Sequence, residues 1–210
     1  MRSRVCVLVS GGVDSSVLLA DKLRQGHEVY PLYVGAGFKW EKVELAWLRR
    51  LLKRLKTPRL KSLTVTRSPM QPLMKSHWAI TGRRVPDAKS ASRSVYIPGR
   101  NMVLIAQAGL FCALHDIPEL ALAILKCNPF PDARPGFLKS MEKTVSAATN
   151  SRIRISTPYA ELSKDQVIKR VPGFAFQLTF SCLRPNGGKH CGNCNKCEER
   201  REAIDNLSYL

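Results

Sequence analysis

No run of about 18 consecutive apolar residues occurs in this chain, so no membrane-spanning helix is expected. Acidic residues are scarce: 16 Asp and Glu stand against 34 Lys and Arg, a formal charge of +18. Such a field draws anions, whether nucleic acid, ATP or smaller species. Much of the excess is local, since Arg49, Arg50, Lys53, Arg54, Lys56, Arg59 and Lys61 fall within one short stretch. That stretch reads first as the solvated face of a helix, with an RNA-binding surface as the alternative. The first apolar strand begins within about five residues of Met1, which leaves no room for a signal peptide. Cysteine is not scarce. Of seven, four crowd between 182 and 197, which suits a metal in a reducing compartment better than disulfides, so cytoplasm is the expected location. A chain of 210 residues fits one α/β domain with a small appendage, here placed at 1–175 and 176–210.

The stretch Val9–Ser10–Gly11–Gly12–Val13–Asp14–Ser15–Ser16 follows the apolar run Val5 to Val9 and precedes Val17–Leu18–Leu19–Ala20. This order predicts a buried strand, a tight turn and a helix that begins inside the motif. Two glycines at such a turn let the backbone approach an anion closely. The free N–H groups and positive dipole of the new helix face that anion, and Ser10, Ser15 and Ser16 add hydroxyl donors. Asp14 can orient the loop or help to hold Mg²⁺. No Gly-Lys-Ser/Thr ends the motif, so it is not a Walker loop.

Residues 28–34 read as a second strand, 40–56 as a helix with Trp40, Val43, Trp47, Leu51 and Leu55 on its apolar stripe, and 62–66 as a third strand. Strand and helix alternate from the start, which predicts a doubly wound parallel sheet covered by helices on both faces. Periodicity is lost from Arg67 to Ser94. The segment 81–94 reads as a mobile basic lid, with Arg83, Arg84, Lys89 and Arg93 as candidate contacts for phosphate or an acidic substrate. His77 has no evident partner. A helix is expected from Met102 to about His115, a fourth strand over 120–125, a helix from about Gly136 to Thr149 and a strand near 153–156. The loop after the fourth strand lies where doubly wound sheets bind ligands.

Cys182, Cys191, Cys194 and Cys197 are spaced C-x₈-C-x₂-C-x₂-C, a pattern that closes a tetrahedral Cys₄ zinc site, while an iron–sulfur cluster uses the same ligands. The set is complete without His190. A closed site of this kind is structural and pins a C-terminal tail.

Ser-Gly-Gly-Val-Asp-Ser-Ser at 10–16 resembles the PP-loop of the ATP pyrophosphatases. With Tyr-Ile-Pro-Gly-Arg-Asn at 96–101, Pro-Asp-Ala-Arg-Pro-Gly-Phe at 131–137, Thr157–Pro158 before Ser163–Lys164, and Phe-Ser-Cys at 180–182, it resembles the 7-cyano-7-deazaguanine synthase (QueC) family over nearly the whole chain. The resemblance implies an adenine nucleotide alpha hydrolase-like sheet with a zinc-binding tail. It implies adenylation of a 7-carboxy-7-deazaguanine carboxylate by ATP, displacement of AMP by ammonia to give an amide, and a second activation that yields the nitrile. Under it Val9 to Ser16 hold the pyrophosphate, with Ser10 and Asp14 acting in catalysis. Arg100 and Lys164 balance charge on the reacting phosphates, Asp132 and Arg134 meet the purine-like substrate, and ATP, Mg²⁺ and Zn²⁺ are the cofactors.

The chain departs from the family pattern around the expected substrate pocket. Ala36–Gly37–Phe38–Lys39–Trp40 replaces a Gly-Gln-Arg-His-like stretch, the loop before Pro131 is short, and Ala133 stands where Cys is common. Three rivals follow: a QueC-like enzyme that attaches a deazapurine to a protein partner in phage defence, a tRNA-modifying PP-loop enzyme, and an RNA-binding protein without catalysis. A homodimer is compatible with the sequence.

Overall fold

The computed structural model describes residues 3–205. Strand β1 (Arg4–Leu8) sits at the centre of a five-stranded sheet, with Val5, Cys6 and Val7 fully buried. A run this apolar is stable only where both sheet faces are covered. The chain passes through α1 (Val13–Arg24), β2 (Glu28–Gly35), α2 (Glu41–Arg54) and β3 (Thr64–Arg67). After α3 (Trp78–Thr81) and α4 (Arg100–Leu114) it returns to the other side of β1 as β4 (Glu119–Ala121). It finishes with α5 (Pro135–Thr149), β5 (Arg154–Ser156), α6 (Lys164–Ile168) and α7 (Asn195–Asp205). The strand order is β3-β2-β1-β4-β5 and every pair is parallel. The winding direction therefore reverses between β1 and β4, and a crevice opens at their C-terminal ends.

Alternation along β1 divides the core. Val5 and Val7 pack with Val17 and Leu18 of α1 and with Val167 and Ile168 of α6. Cys6 faces the opposite side with Leu32, Ile105 and Cys112, against Leu138 and Val145 of α5. Gly109 makes the α4–α5 crossing close, since a Cβ there would lie 2.3 Å from a Val145 methyl. At the N-terminal end of the sheet, buried Glu119 accepts from Lys22 at 2.9 Å, Arg154 at 2.5 Å and Ser156 at 2.6 Å.

Three local expectations change. Helix α2 is rotated relative to the expected stripe: its buried residues are Glu44, Leu48 and Leu51, while Trp47 and Leu55 are half-buried. The expected free lid is instead fastened to the cysteine segment. Ala88 N–H donates to the Asn193 carbonyl at 3.0 Å, Asn195 N–H to the Pro86 carbonyl at 3.1 Å, and the Asn195 amide to the Ser90 carbonyl at 2.7 Å. Val95 and Ile97 complete an apolar cluster with Phe38, Trp40, Phe180 and the cysteines. His77 does have a partner: its Nδ1 accepts the Ala79 N–H at 3.2 Å and caps α3.

Candidate functional site

The glycine loop lies between β1 and α1, at the switch point. Gly11 has φ +76°, a left-handed conformation in which a side chain is strained, and a Cβ there would lie 3.3 Å from the Leu48 Cβ. Helix α2 therefore packs directly on the loop. Ser10 N–H donates to Ser15 Oγ at 3.2 Å, and Gly12 N–H donates to Ser10 Oγ at 3.3 Å. Helix α1 has no side-chain cap at its N-terminus. Its first-turn N–H groups and dipole thus remain available to an anion. Ser16 Oγ is buried there with no hydrogen-bond partner among the described residues.

A cavity of about 260 Å³ opens on this turn, lined by Ser10, Gly12, Asp14 and Ser15 together with Tyr33, Phe38, Trp40, Glu44, Arg100 and Lys164. A second cavity of about 300 Å³ adjoins it and shares Asp14, Asn128, Lys164, Lys196 and Glu199. Each is near the lower end of the size of a small-molecule site.

The walls are held by charges from distant parts of the chain. Lys164 Nζ lies 2.7 Å from both Asp14 oxygens and 2.8 Å from Glu199 Oε1, and Glu199 Oε2 takes Lys196 at 2.5 Å. Burial by itself lowers the Lys164 pKa, but the charges of Asp14 and Glu199 carry it above the ordinary lysine value. Burial by itself raises Glu199, yet Lys196 and Lys164 hold it at about 2. The last turn of the chain before residue 200 thereby reaches the glycine loop through one lysine. A backbone bond adds to this link, since Phe180 N–H donates to the Gly11 carbonyl at 2.7 Å.

Arg100 opens α4 after Gly99. Its guanidinium lies 5.9 Å over the Phe38 ring, and its Nε is buried without a hydrogen-bond partner among the described residues. Asp132 and Arg134 do not line either cavity. The Asp132 carboxylate is already occupied: Oδ2 accepts the Asn101 N–H at 3.0 Å and the Asn101 amide donates to the Asp132 carbonyl at 3.1 Å. A carboxylate at the N-terminus of α4 satisfies a free N–H group and the helix dipole, which fixes Arg100 beside it. Arg134 is exposed.

The sulfur atoms of Cys182, Cys191, Cys194 and Cys197 all lie within 4.8 Å of one another, with Cys191 and Cys197 at 3.9 Å. Tetrahedral thiolates around one ion at about 2.3 Å have edges near 3.8 Å, so the set fits a single metal. Backbone N–H groups of Cys191 and Leu183 point at the sulfurs of Cys182 and Cys194 at 3.3 and 3.4 Å; each by itself lowers the thiol pKa, although contact with Cys194 and Cys197 holds the Cys182 thiol above its ordinary value. His190 stands outside this set, tilted on Phe180 at 4.6 Å and edge-on to Trp47 at 5.5 Å, and accepts the Ser181 N–H at 3.3 Å.

Sequence reasoning missed Glu44, Tyr33, Lys196, Glu199 and Arg200 as cavity residues. Glu44 is 9% exposed and its Oε2 accepts the Tyr33 hydroxyl at 2.7 Å. Burial pushes its carboxyl up to about 7, against the lowering effect of Tyr33 and of Arg100. A signal existed, because Glu44 shares i, i+4, i+7 spacing with Leu48 and Leu51, and an acid on the buried stripe of a helix is a functional candidate.

The model of the family described as "Queuosine biosynthesis protein QueC" matches residues 4–208. The chain is 31% identical over 208 residues to the 7-cyano-7-deazaguanine synthase 1 of Desulfitobacterium hafniense, covering 97% of this chain and 92% of that one. It is 30% identical to the 7-cyano-7-deazaguanine synthase of Caldicellulosiruptor saccharolyticus, over 96% and 90% of the two chains. Among solved structures, a 4-thiouridine synthetase–RNA complex with bound ATP aligns at a TM-score of 0.49 and 15% identity, over 99% of this chain and 52% of that one. With a family match that runs through the glycine loop, the parallel sheet and the four cysteines, the chain belongs to the QueC family.

Proposed function

We propose that the protein is an ATP-dependent carbon–nitrogen ligase that converts 7-carboxy-7-deazaguanine, with ammonia, to the amide and then to the nitrile. The observation that carries this reading is the uncapped N-terminus of α1 opening, with Ser10, Gly12 and Ser15, into a cavity that also holds Lys164 and Arg100. In the first step a substrate carboxylate oxygen attacks the α-phosphorus of ATP, and pyrophosphate leaves. Ammonia then adds to the acyl carbon and AMP departs with the carboxylate oxygen. A second ATP adenylates the amide oxygen, and loss of AMP with the two amide protons leaves the nitrile.

Val9 to Ser16 cradle the leaving pyrophosphate through backbone N–H groups and hydroxyls, whose contribution is greatest as charge builds on the leaving oxygen. Lys164 and Arg100, which both line the cavity, offset phosphate charge. Asp14, bound by Lys164 through both oxygens, orients that lysine and the loop. Asp132 acts through Asn101 and Arg100 as a positioning residue, not as a substrate contact. Bound Mg²⁺ would neutralise part of the triphosphate charge, with Asp14 as the carboxylate of the loop. Zn²⁺ on Cys182, Cys191, Cys194 and Cys197 would cross-link the tail and leave no open position for chemistry. The free cysteines fit a reducing cytoplasm.

The test is pyrophosphate release against carboxylated deazapurines and against tRNA. ATP-dependent release with a carboxydeazaguanine and ammonia supports the ligase. Release with tRNA alone overturns it in favour of a tRNA-modifying enzyme, and release with neither overturns both.

A further inference from the structure

Four carboxylates line the cavity at the switch point: Asp14, Glu41, Glu44 and Glu199. Three have both oxygens occupied. Asp14 gives both to Lys164, and Glu199 gives one each to Lys164 and Lys196. Glu41 accepts the Ala36 N–H at 2.6 Å on Oε1 and the Gly37 N–H at 3.0 Å on Oε2. Glu44 differs. Its Oε2 takes the Tyr33 hydroxyl, and its Oε1 has no hydrogen-bond partner among the described residues.

That oxygen is not among the fully buried atoms left without a partner, so it stays open to the cavity, where a ligand can reach it. The groups that face it are Tyr33 from β2, Arg100 from α4 and Glu41 from its own helix, and none of them fills that oxygen. The same cavity has a flat apolar wall, where Phe38 and Trp40 stack at 5.0 Å. An aromatic wall and one free acceptor suit a planar heterocycle that carries an N–H donor.

We propose that Glu44 determines specificity in this cavity, its Oε1 accepting a hydrogen bond from an N–H group of the planar heterocycle bound beside Phe38 and Trp40. The inference rests on the function proposed above, whose two heterocycles both carry such a donor. One is the exocyclic amino group of ATP, the other the ring N–H and amino groups of the deazaguanine.

Glu44→Gln tests this. The amide keeps an oxygen for Tyr33 and turns an NH₂ donor toward the ligand, so donor faces donor. Affinity for the ligand that Glu44 reads should fall about 10- to 100-fold, the cost of losing a hydrogen bond to a charged group. If that ligand is ATP, ATP binding weakens and the wild-type preference for ATP over inosine triphosphate narrows. If it is the deazapurine, ATP binding holds while its KM rises at unchanged kcat. Either result supports the assignment. Binding of both ligands to Glu44→Gln within twofold of wild type overturns it. Tyr33→Phe keeps the carboxylate and should keep the discrimination. If Tyr33→Phe and Glu44→Gln instead weaken both ligands alike, Glu44 is a packing group and the proposal fails. A wild-type protein that binds neither ligand defeats the ligase reading itself.

Discussion

On the inner face of α2, Glu41 accepts two backbone N–H groups and Glu44 accepts the Tyr33 hydroxyl. On the outer face of the same helix Arg49, Lys53 and Arg54 stand exposed and make no ion pair among the described residues, and Arg50 lies over the Trp47 ring at 5.7 Å. The physical difference is desolvation. A buried charge left unmatched costs several kcal/mol, so the cavity side recruits partners from 150 residues away, as Lys164 does for Asp14. An exposed cation is matched by water and ions and needs no partner. A change of a single atom on the inner face is therefore expected to matter, whereas four changes together on the outer face should do little.

The largest break in that contrast comes from removing the metal. The inner network ends on Glu199, two residues past Cys197 on α7, so it depends on the cysteine site. Chelation should unfold the chain beyond about Phe180 and abolish AMP formation, since such zinc sites contribute about 10–16 kcal/mol of apparent binding energy at neutral pH. Metal analysis and melting curves with and without chelator check this. A melting curve unchanged by chelation rejects it.

Next come the loop residues. Ser10→Ala and Asp14→Asn should each slow AMP formation by on the order of 10²–10³, the usual cost of one transition-state charge partner, with the fold retained. Single-turnover AMP release beside a melting curve separates the two effects. Wild-type release from both variants would mean that the turn is not a pyrophosphate cradle.

Glu44 gives a prediction of opposite sign for stability. Its carboxyl is raised to about 7 from 4.5, so the folded state binds the extra proton and stability falls as pH rises from about 4.5 through 7. Glu44→Gln removes that loss. It should be more stable than wild type at pH 8, by up to about 3 kcal/mol, and equal to it at pH 4. Denaturant titrations at the two pH values measure the difference, and equal stability at pH 8 contradicts it.

The smallest effect is expected on the outer face. Arg49, Arg50, Lys53 and Arg54 changed together to Gln should leave turnover on a small substrate unchanged and shift stability by no more than about 0.5 kcal/mol per site. A large loss of turnover would place this face in the chemistry. A loss confined to tRNA would favour the tRNA-modifying rival.

What was legible in the chain was local. The strand, glycine turn and helix start around Ser10 to Ser16 were legible because they are neighbours in sequence, and the gathering of the four cysteines followed from their spacing for the same reason. The parallel order followed from the alternation of apolar strands and helices. The contact of Asp132 with Asn101, 31 residues earlier, was not legible because the two are brought together only by the fold. The segment 81–94 looked free because its hydrogen bonds run to Asn193 and Asn195, a hundred residues on.

The sequence by itself determined the glycine turn, the buried strands and the four-cysteine cluster, since each needs only nearby residues in a fixed spacing. Only the tertiary structure decided which carboxylates are spent and which is left over. That choice turns on which face of α2 meets Gly11 and on whether Lys164 reaches Asp14. Both are set by packing across the switch point, where desolvation favours the pairing of buried charges.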